Sequence, residues 1–269
     1  AVPKTVHADP TPNYDDIKLL FTGPFLDYGP FGDYDPELIE DVPRFILTPK
    51  DQGPFIWEGR TYLPMRLVFQ ILGYNVFWRQ DSPDIEISKY DETMIINTEE
   101  KTAIKDGEIM TLPVLMFNNR NYIPLRSFAE ITEDNIYWEN DTRTVVYTIR
   151  GAKGVMPPVR IIDLQHKEAI SSDYHEVNDK IKSALRKGDE ISYAVKNVIN
   201  ETIDHNKLIR FSNTWDLAEN KNGSNFARTY DAYKGALKPG ETASRQEQFI
   251  EYGKYEIVIF GIRDINAYV

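Results

Sequence analysis

The feature that most constrains this chain is a short pattern that occurs twice, sixty residues apart. The stretch GRTYLPMR, residues 59–66, reads Arg-x-Tyr-aliphatic-Pro-aliphatic-Arg, and NRNYIPLR, residues 119–126, has the same order. The correspondence continues without a gap for about thirty residues, which predicts an internal repeat. We call residues 60–89 the first motif segment and residues 120–149 the second motif segment.

The repeated positions have local structural roles. Tyrosines favour extended structure, a proline suits the first position of a helix, and an apolar face at helical spacing follows each proline. A β-hairpin is expected after each helix. Gly73 is a helix stop, whereas Thr132 and Glu133 predict a more exposed or differently capped end. The repeated residues are Arg60, Tyr62, Pro64, Arg66 and Trp78, and in the second segment Arg120, Tyr122, Pro124, Arg126 and Trp138.

Two repeated residue types also allow functional interpretations. Arg66 and Arg126 could bind an anion, but their recurrence favours a stem packed over the sheet and a guanidinium bonded to nearby carbonyls or carboxylates. Trp78 and Trp138 could be platforms for stacking sugars. Their place on the inner strand of a hairpin favours the core instead.

The whole sequence predicts an α+β protein in two parts. The first part is an antiparallel sheet wrapped around two short helices, built from a duplicated strand–helix–hairpin unit. The second part is β-rich, with six expected strands and one preceding helix. The expected divisions are a tail at 1–15, a first domain at 16–150 with an irregular insert at 22–53, a linker at 151–158, and a second domain at 159–269 with a helix at about 173–187.

The motif segments carry a family resemblance. GRTYLPMRLVFQILGYNVFW and NRNYIPLRSFAEITEDNIYWENDTRTVVYTI resemble the copper amine oxidase N-terminal domain-like family, also called the stalk domain. The resemblance covers about residues 54–150, with the strand at 17–21 as an addition. This chain departs from the pattern at Glu133, where the family has Gly, in the turn RQDSPD, and in the insert.

The resemblance implies a non-catalytic α+β module in a protein that is secreted or attached to the surface of a Gram-positive bacterium. A second, weaker resemblance links residues 190–269 to bacterial immunoglobulin-like surface domains, through the VKN strand and the LKPGE turn. It predicts an immunoglobulin-like sandwich for the second part.

The chemistry of the amine oxidases is not expected here. In that family a Tyr in the context Thr-x-x-Asn-Tyr-Asp/Glu becomes a quinone beside copper, but around Tyr14 this chain has Pro10 where the Thr is needed. Its four histidines form no His-x-His pair, and it has no cysteine. We therefore predict no catalytic residues, cofactor or metal. The alternative is a glycan or peptide hydrolase whose residues meet only in three dimensions.

Charge and composition limit the partners. A net charge of −11 disfavours nucleic acids, which need a basic face. No apolar run suits a transmembrane helix or a signal peptide. A cell-wall polymer or a surface protein is the expected partner, and the expected location is extracellular or at the cell surface.

Five aromatic residues are the candidate contacts with a partner. Sugar rings stack on exposed aromatic faces, which favours Tyr28, Phe31, Tyr34 and Trp57 for a glycan. Trp215 lies in the polar stretch SNTWDLAENKNGSNF, which is predicted to be a long interaction loop. That loop supports a second alternative function, a protein-binding or protease-inhibitor-like module.

Overall fold

The structure is a computed structural model of the chain. It describes residues 17–23, 43–47, 53–78, 81–89, 91–117, 120–152, 154, 156–167, 190–204, 208–216, 221–222, 228–231, 236–248 and 254–262. Tyr28, Phe31, Tyr34, the tail at 1–15 and the predicted helix at 173–187 lie outside these ranges.

The described part is β-rich with two short helices, so the α+β class is confirmed. The elements of the first half are β1 Lys18–Thr22, β2 Arg44–Leu47, β3 Phe55–Trp57, β4 Arg60–Pro64, α1 Met65–Ile71, β5 Asn75–Trp78, β6 Asp84–Lys89, β7 Glu92–Asn97, β8 Thr102–Lys105, β9 Glu108–Thr111, β10 Leu115–Phe117, β11 Arg120–Pro124, α2 Leu125–Thr132, β12 Asn135–Glu139 and β13 Thr144–Thr148. Those of the second half are β14 Val159–Lys167, β15 Glu190–Asn197, β16 Ile203–Asp204, β17 Leu208–Asp216, β18 Lys221–Asn222, β19 Arg228–Asp231, β20 Ala236–Leu237, β21 Thr242–Gln248 and β22 Lys254–Ile262.

Five sheets are formed by the described strands. The largest has the order β12-β13-β1-β2-β22-β17-β18, with β19 also paired to β17. The others are β5-β6-β7-β8-β9, β10-β11-β4-β3, β14-β15-β21 and β16-β20. Because β2 pairs with β22, the largest sheet contains strands from both sides of the expected linker at 151–158. The division of the chain into two domains stays a prediction.

The two helices lie inside a core that three sheets share. Met65, Val68 and Phe69 of α1 and Leu125 and Phe128 of α2 are fully buried. They pack together with apolar residues from the first three sheets named above. The expectation of a single antiparallel sheet around the helices was therefore too simple.

Strand β1 accounts for part of that difference, because it pairs in parallel with β13. The opposite face of the same sheet packs against the β14-β15-β21 sheet, through residues such as Leu20, Val146, Val159 and Val195. A parallel pair needs both faces covered, and both are covered here. All five residues of β1 are accordingly buried, including the polar residues Lys18 and Thr22.

The insert at 22–53 is not wholly irregular. Arg44–Leu47 forms β2, and Phe45 and Ile46 are buried on opposite faces of the largest sheet. The Pro- and Gly-rich composition around these residues concealed a short strand, because four residues are too few to show a period. The rest of the insert lies largely outside the described residues.

Several local expectations agree with the structure. The dipeptides Glu58-Gly59 and Asp106-Gly107 are expected to form tight turns, because glycine tolerates a positive φ angle, and both have positive φ angles at their hairpin turns. The six strands expected in the second half are all present. The prolines differ by one position: each ends a strand, and the helix begins at the following residue.

Candidate functional site

Most motif residues contribute to packing. Tyr62 and Tyr122 are buried on one face of the β10-β11-β4-β3 sheet, where their rings contact Phe55 at centroid distances of 5.7 and 5.0 Å. On the other face, Leu63 lies opposite Ile123, the residue at the corresponding position of the second segment. The two segments therefore meet about a local twofold axis between β4 and β11.

Trp57 lies at the rim of this aromatic face. It is half-buried and packs against the cluster of Phe55, Tyr62 and Tyr122. Arg60, which is exposed, is its cross-strand partner. Phe117 and Arg120 occupy the corresponding places on the other side of the twofold axis. A role for Trp57 in ligand contact stays a prediction.

Trp78 and Arg66 form a pair on the surface. The expectation that Trp78 is a core residue was wrong, because 44% of its surface is exposed. It lies at the end of β5, where the neighbouring first turn of α1 places the Arg66 guanidinium 5.5 Å from the indole centroid. This distance is typical of a cation–π contact. Arg66 makes this contact in place of the hydrogen bonds to carbonyls or carboxylates that we expected.

The second segment arranges the same residue types differently. Trp138 is half-buried against the main core, and the cation over its ring is Arg143, at 6.0 Å. Its indole Nε1 also donates to Asn140 Oδ1 at 3.4 Å. Arg126 is exposed. Only the first segment therefore combines its motif arginine with its motif tryptophan.

Trp215 does not lie in a loop. Residues 208–216 form β17, in which Trp215 pairs with Tyr255 of β22 and with Asn222 of β18. The sequence predicted a loop at residues 212–216 because these residues are mostly polar. However, Thr and Trp favour strands, and β22 offers the backbone groups with which this part of β17 forms hydrogen bonds. The predicted long interaction loop is thus shorter than its sequence indicated.

A polar cavity of about 140 Å³ lies where the ends of the two helices converge. It is lined by Leu72, Tyr74, Lys89, Glu92, Thr132, Asp134, Ile149 and Arg150. Three pairs in this set, Leu72 with Thr132, Tyr74 with Asp134, and Lys89 with Ile149, occupy corresponding positions in the two motif segments. The cavity therefore belongs to the junction of the two segments.

Asp134 is held by hydrogen bonds on one side of the cavity. Its carboxylate accepts from Thr132 Oγ1 at 2.5 Å, from the backbone N–H of Arg150 at 2.6 Å, and from the Tyr147 hydroxyl. Burial, together with the charge of Asp134 and this hydrogen bond, raises the pKa of Tyr147. The tyrosine therefore stays a neutral donor to the carboxylate.

Glu92 is held by cations on the other side. Arg150 Nη2 lies 2.7 Å from it and Lys105 Nζ lies 3.5 Å from it. Partial burial raises the pKa of Glu92, but the bonds and charges of Arg150 and Lys105 outweigh burial and lower it overall. Arg150 also contacts Glu133, at 3.2 Å, so an ion-pair network closes the rim.

Tyr74 and Lys89 complete the lining. The Lys89 ammonium lies 5.5 Å from the centroid of the Tyr74 ring. Burial lowers the pKa of Lys89, against the raising effect of Asp134 and Glu92. Burial and the same two carboxylates raise the pKa of Tyr74. Shifted pKa values gather at this cavity, as they do at many functional sites.

The cavity contains two carboxylates, which is the arrangement that the hydrolase alternative needs. Glycoside hydrolysis also needs a carboxylic acid that stays protonated near neutral pH. Glu92 has the opposite property, since its pKa is lowered, and Asp134 is occupied by three donors. Within the described residues, this site does not supply the general acid.

Sequence reasoning missed the cavity because its residues come from separate parts of the chain: the end of α2, the segments that follow α1, α2 and β13, and the strands β6 and β7. The only signal available was that Tyr74 and Asp134 correspond across the repeat while one is aromatic and the other acidic. In the described ranges, no group of three or more His, Asp or Glu residues is placed to hold a metal ion. Within those same ranges, no helix is long and apolar enough to cross a membrane.

Comparison with protein-family models gave a match to the copper amine oxidase N-terminal domain over residues 46–147. The matched region begins within β2 and ends within β13, and it contains the first motif segment and residues 120–147 of the second. Comparisons with curated proteins and with solved structures found no match. The resemblance read from the doubled motif is therefore confirmed: residues 46–147 match the model of the copper amine oxidase N-terminal domain, which is a non-catalytic domain of those enzymes.

Proposed function

We propose that this chain is a non-catalytic binding protein that works outside the cytoplasm, on the cell surface of a Gram-positive bacterium. The family match supports a non-catalytic role for residues 46–147, and the family resemblance supports the location. On this proposal the two motif segments are a duplicated unit that serves as a scaffold. The β-rich second half is the immunoglobulin-like part of the same surface protein.

The exposed pair of Arg66 and Trp78 is the observation that carries the proposal. The half-exposed indole offers a flat apolar surface, on which a sugar ring can stack. Arg66 makes no ion pair with any residue that the structure describes, so its guanidinium can bind an acidic group or hydroxyls of the same ligand. These properties fit an acidic cell-wall glycan.

A binding assay with cell-wall material tests this function. The chain is mixed with purified peptidoglycan sacculi, with and without their acidic wall polymer, and the bound fraction is measured after sedimentation. We expect retention that weakens as salt rises, because an Arg–anion contact at the surface is screened. Removing the acidic polymer should lower retention further.

The chain provides a matched control for the two residues. Arg66→Gln and Trp78→Ala should each lower retention by about tenfold, which corresponds to about 1.4 kcal/mol. Arg126→Gln changes the corresponding arginine of the second segment, which is also exposed, and should leave retention unchanged. Equal losses in Arg66→Gln and Arg126→Gln, or no retention of the unmodified chain, would refute the polymer-binding function. Release of soluble sugar over time would instead support the hydrolase alternative.

A second candidate function, binding of a protein partner, is favoured by a different surface. Four large apolar side chains, one of them Phe77, are exposed on the β5-β6-β7-β8-β9 sheet. They lie on the face opposite to that of Trp78, because successive residues of a strand alternate between the two faces.

A further inference from the structure

The outer face of the five-stranded sheet carries a row of apolar side chains. The strand register places Phe77, Glu86, Ile95, Ile104 and Ile109 side by side, one residue from each strand. The four apolar members are exposed, from 36% for Ile95 and Ile104 to 72% for Ile109. We call this set the apolar row. At about 4.8 Å between strands it is about 19 Å long.

The apolar row is not part of the protein core. The residues that alternate with it, such as Ile87, Met94, Ile96 and Ala103, point to the opposite face and are buried there. The outer face of such a sheet normally carries polar side chains, because one face of an antiparallel sheet is solvated. The next row of side chains on the same outer face follows that rule, because it consists of the polar residues Asp84, Asn97, Thr102 and Thr111.

Acidic side chains surround the apolar row. Residues 84–111 include eight Asp or Glu and three Lys. Six of the eight acidic residues are exposed, and five of these remain when Glu92, which is paired with Arg150 and Lys105 at the polar cavity, is set aside. Lys101 is the one exposed lysine of the three. Lys105 is buried against Glu92, and Lys89 lines the polar cavity. The sheet therefore offers an apolar strip in a negative field.

We propose that the apolar row is the docking surface for a partner protein that presents an apolar strip flanked by Lys and Arg. Charge complementarity selects this partner. A second copy of the chain would place two acidic faces together, and anionic lipids or wall polymers would be repelled in the same way. The length of the row matches about thirteen residues of a helix, so a basic amphipathic helix fits the surface. This inference is independent of the proposed glycan site.

A synthetic peptide provides a defined probe for the row. The probe is a fourteen-residue amphipathic helix of about this length, with leucine on one face and lysine on the other. The control peptide has glutamate in place of lysine. Fluorescence anisotropy with the full chain should detect binding of the lysine peptide, weakened by salt, and no binding of the glutamate peptide.

Substitutions in the chain test whether the peptide binds the apolar row itself or only the negatively charged surface around it. The double variant Ile95→Thr/Ile104→Thr keeps β-branched residues in the strands and should weaken binding of the lysine peptide at least tenfold, a threshold of about 1.4 kcal/mol. The matched control is Met116→Thr, which changes a side chain that is 68% exposed on another sheet. It should bind as the unmodified chain does. Circular dichroism and thermal melting establish that each variant is folded.

Four results would overturn the proposal. They are undiminished peptide binding by the double variant, an equal loss in Met116→Thr, binding of the glutamate peptide, and self-association of the chain that the double variant abolishes. The last result would identify a second copy as the occupant. Sedimentation with anionic vesicles tests whether the row binds a membrane. Binding of the vesicles through the row would also contradict the proposal that its partner is a basic protein.

Discussion

The two motif segments have the same order of elements but are built into different surroundings. The hairpin of the first segment, β5 and β6, begins a purely antiparallel sheet of five strands. The hairpin of the second, β12 and β13, is completed by β1, which comes from the start of the chain and pairs in parallel. Both segments therefore have the order strand, helix and hairpin. The strands that pair with each hairpin differ, and they determine which side chains of the segment are exposed.

The exposed residues follow from that difference. The first segment leaves Phe77 and Trp78 on the surface, and these residues belong to the two proposed binding surfaces. In the second segment Tyr137 is exposed, but Trp138 packs against the core. The shared tyrosines Tyr62 and Tyr122 are buried in both segments, whereas the shared tryptophan is exposed in the first segment only. The differences between the segments, rather than the shared motif, thus indicate where this protein can bind.

The largest expected effect tests whether the segments form one cooperative unit. Phe69 of α1 and Phe128 of α2 pack together at 5.5 Å between ring centroids. Because both are fully buried, Phe69→Ala and Phe128→Ala should each cost about 3–5 kcal/mol of unfolding free energy. Since the rings touch, the double variant should lose less than the sum of the two losses.

Urea denaturation of the full chain measures these losses. The exposed Met116→Ala variant is the control and should lie within about 0.5 kcal/mol of the unmodified chain. Strict additivity, or a separate transition for one helix, would mean that the two segments fold independently.

Whether the sequence predicts a feature of this fold depends on how far apart in the chain the residues that form the feature are. The helices, the hairpins and the positive-φ turn at Asp106-Gly107 were predictable, because each is set by neighbouring residues. The parallel pairing of β1 with β13 was not, since no local pattern links strands more than a hundred residues apart. The exposure of Trp78 was missed for a similar reason. Burial depends on which element packs over a residue, and hydrophobicity alone does not show that.

The next prediction concerns an ion pair that the second segment makes. Glu139, in its hairpin, binds Arg160 of β14 through two hydrogen bonds of 2.8 Å, and Arg160 also donates to the Pro157 carbonyl. The corresponding residue of the first segment is Arg79, which carries the opposite charge. Burial raises the pKa of Glu139, but the bonds and charge of Arg160 outweigh burial and lower it overall.

The sign of the pH dependence follows. A carboxyl whose pKa is lowered by folding stabilises the protein above its ordinary pKa of 4.5, and this stabilisation is lost as pH falls through the folded value. Glu139→Gln should cost about 1–3 kcal/mol at pH 7 and should flatten the loss of stability below pH 4.5. Urea midpoints between neutral and acidic pH measure both effects. Glu130→Gln, at an exposed position of α2, is the control; an identical pH profile for both variants would contradict the role of the pair.

The smallest expected effect concerns how each helix ends. Gly73 and Glu133 occupy corresponding positions, and both have left-handed backbone angles, with φ of 76° and 59°. The following residue bonds back to the helix in both cases, Tyr74 to the Phe69 carbonyl and Asp134 to the Ala129 carbonyl, each at 2.8 Å. The expectation of a different or more exposed end in the second segment was therefore wrong. Thr132 is buried, and the cap is the same with Glu in the place of Gly.

A left-handed conformation costs about 1–2 kcal/mol for most residues and almost nothing for glycine. Glu133→Gly should relieve this strain but lose the exposed ion pair with Arg150, which contributes about 0–1 kcal/mol. We expect a net stabilisation of about 0.5–1 kcal/mol, measured as a higher melting temperature. Glu133→Gln separates the two effects, because it removes the ion pair and keeps the strain, so it should be neutral or slightly destabilising. Gly73→Ala, the reverse change in the first segment, should cost about 1 kcal/mol. If Glu133→Gly melts at or below the temperature of Glu133→Gln, backbone strain does not distinguish the two helix ends, and the glutamate is as well suited to its position as the glycine.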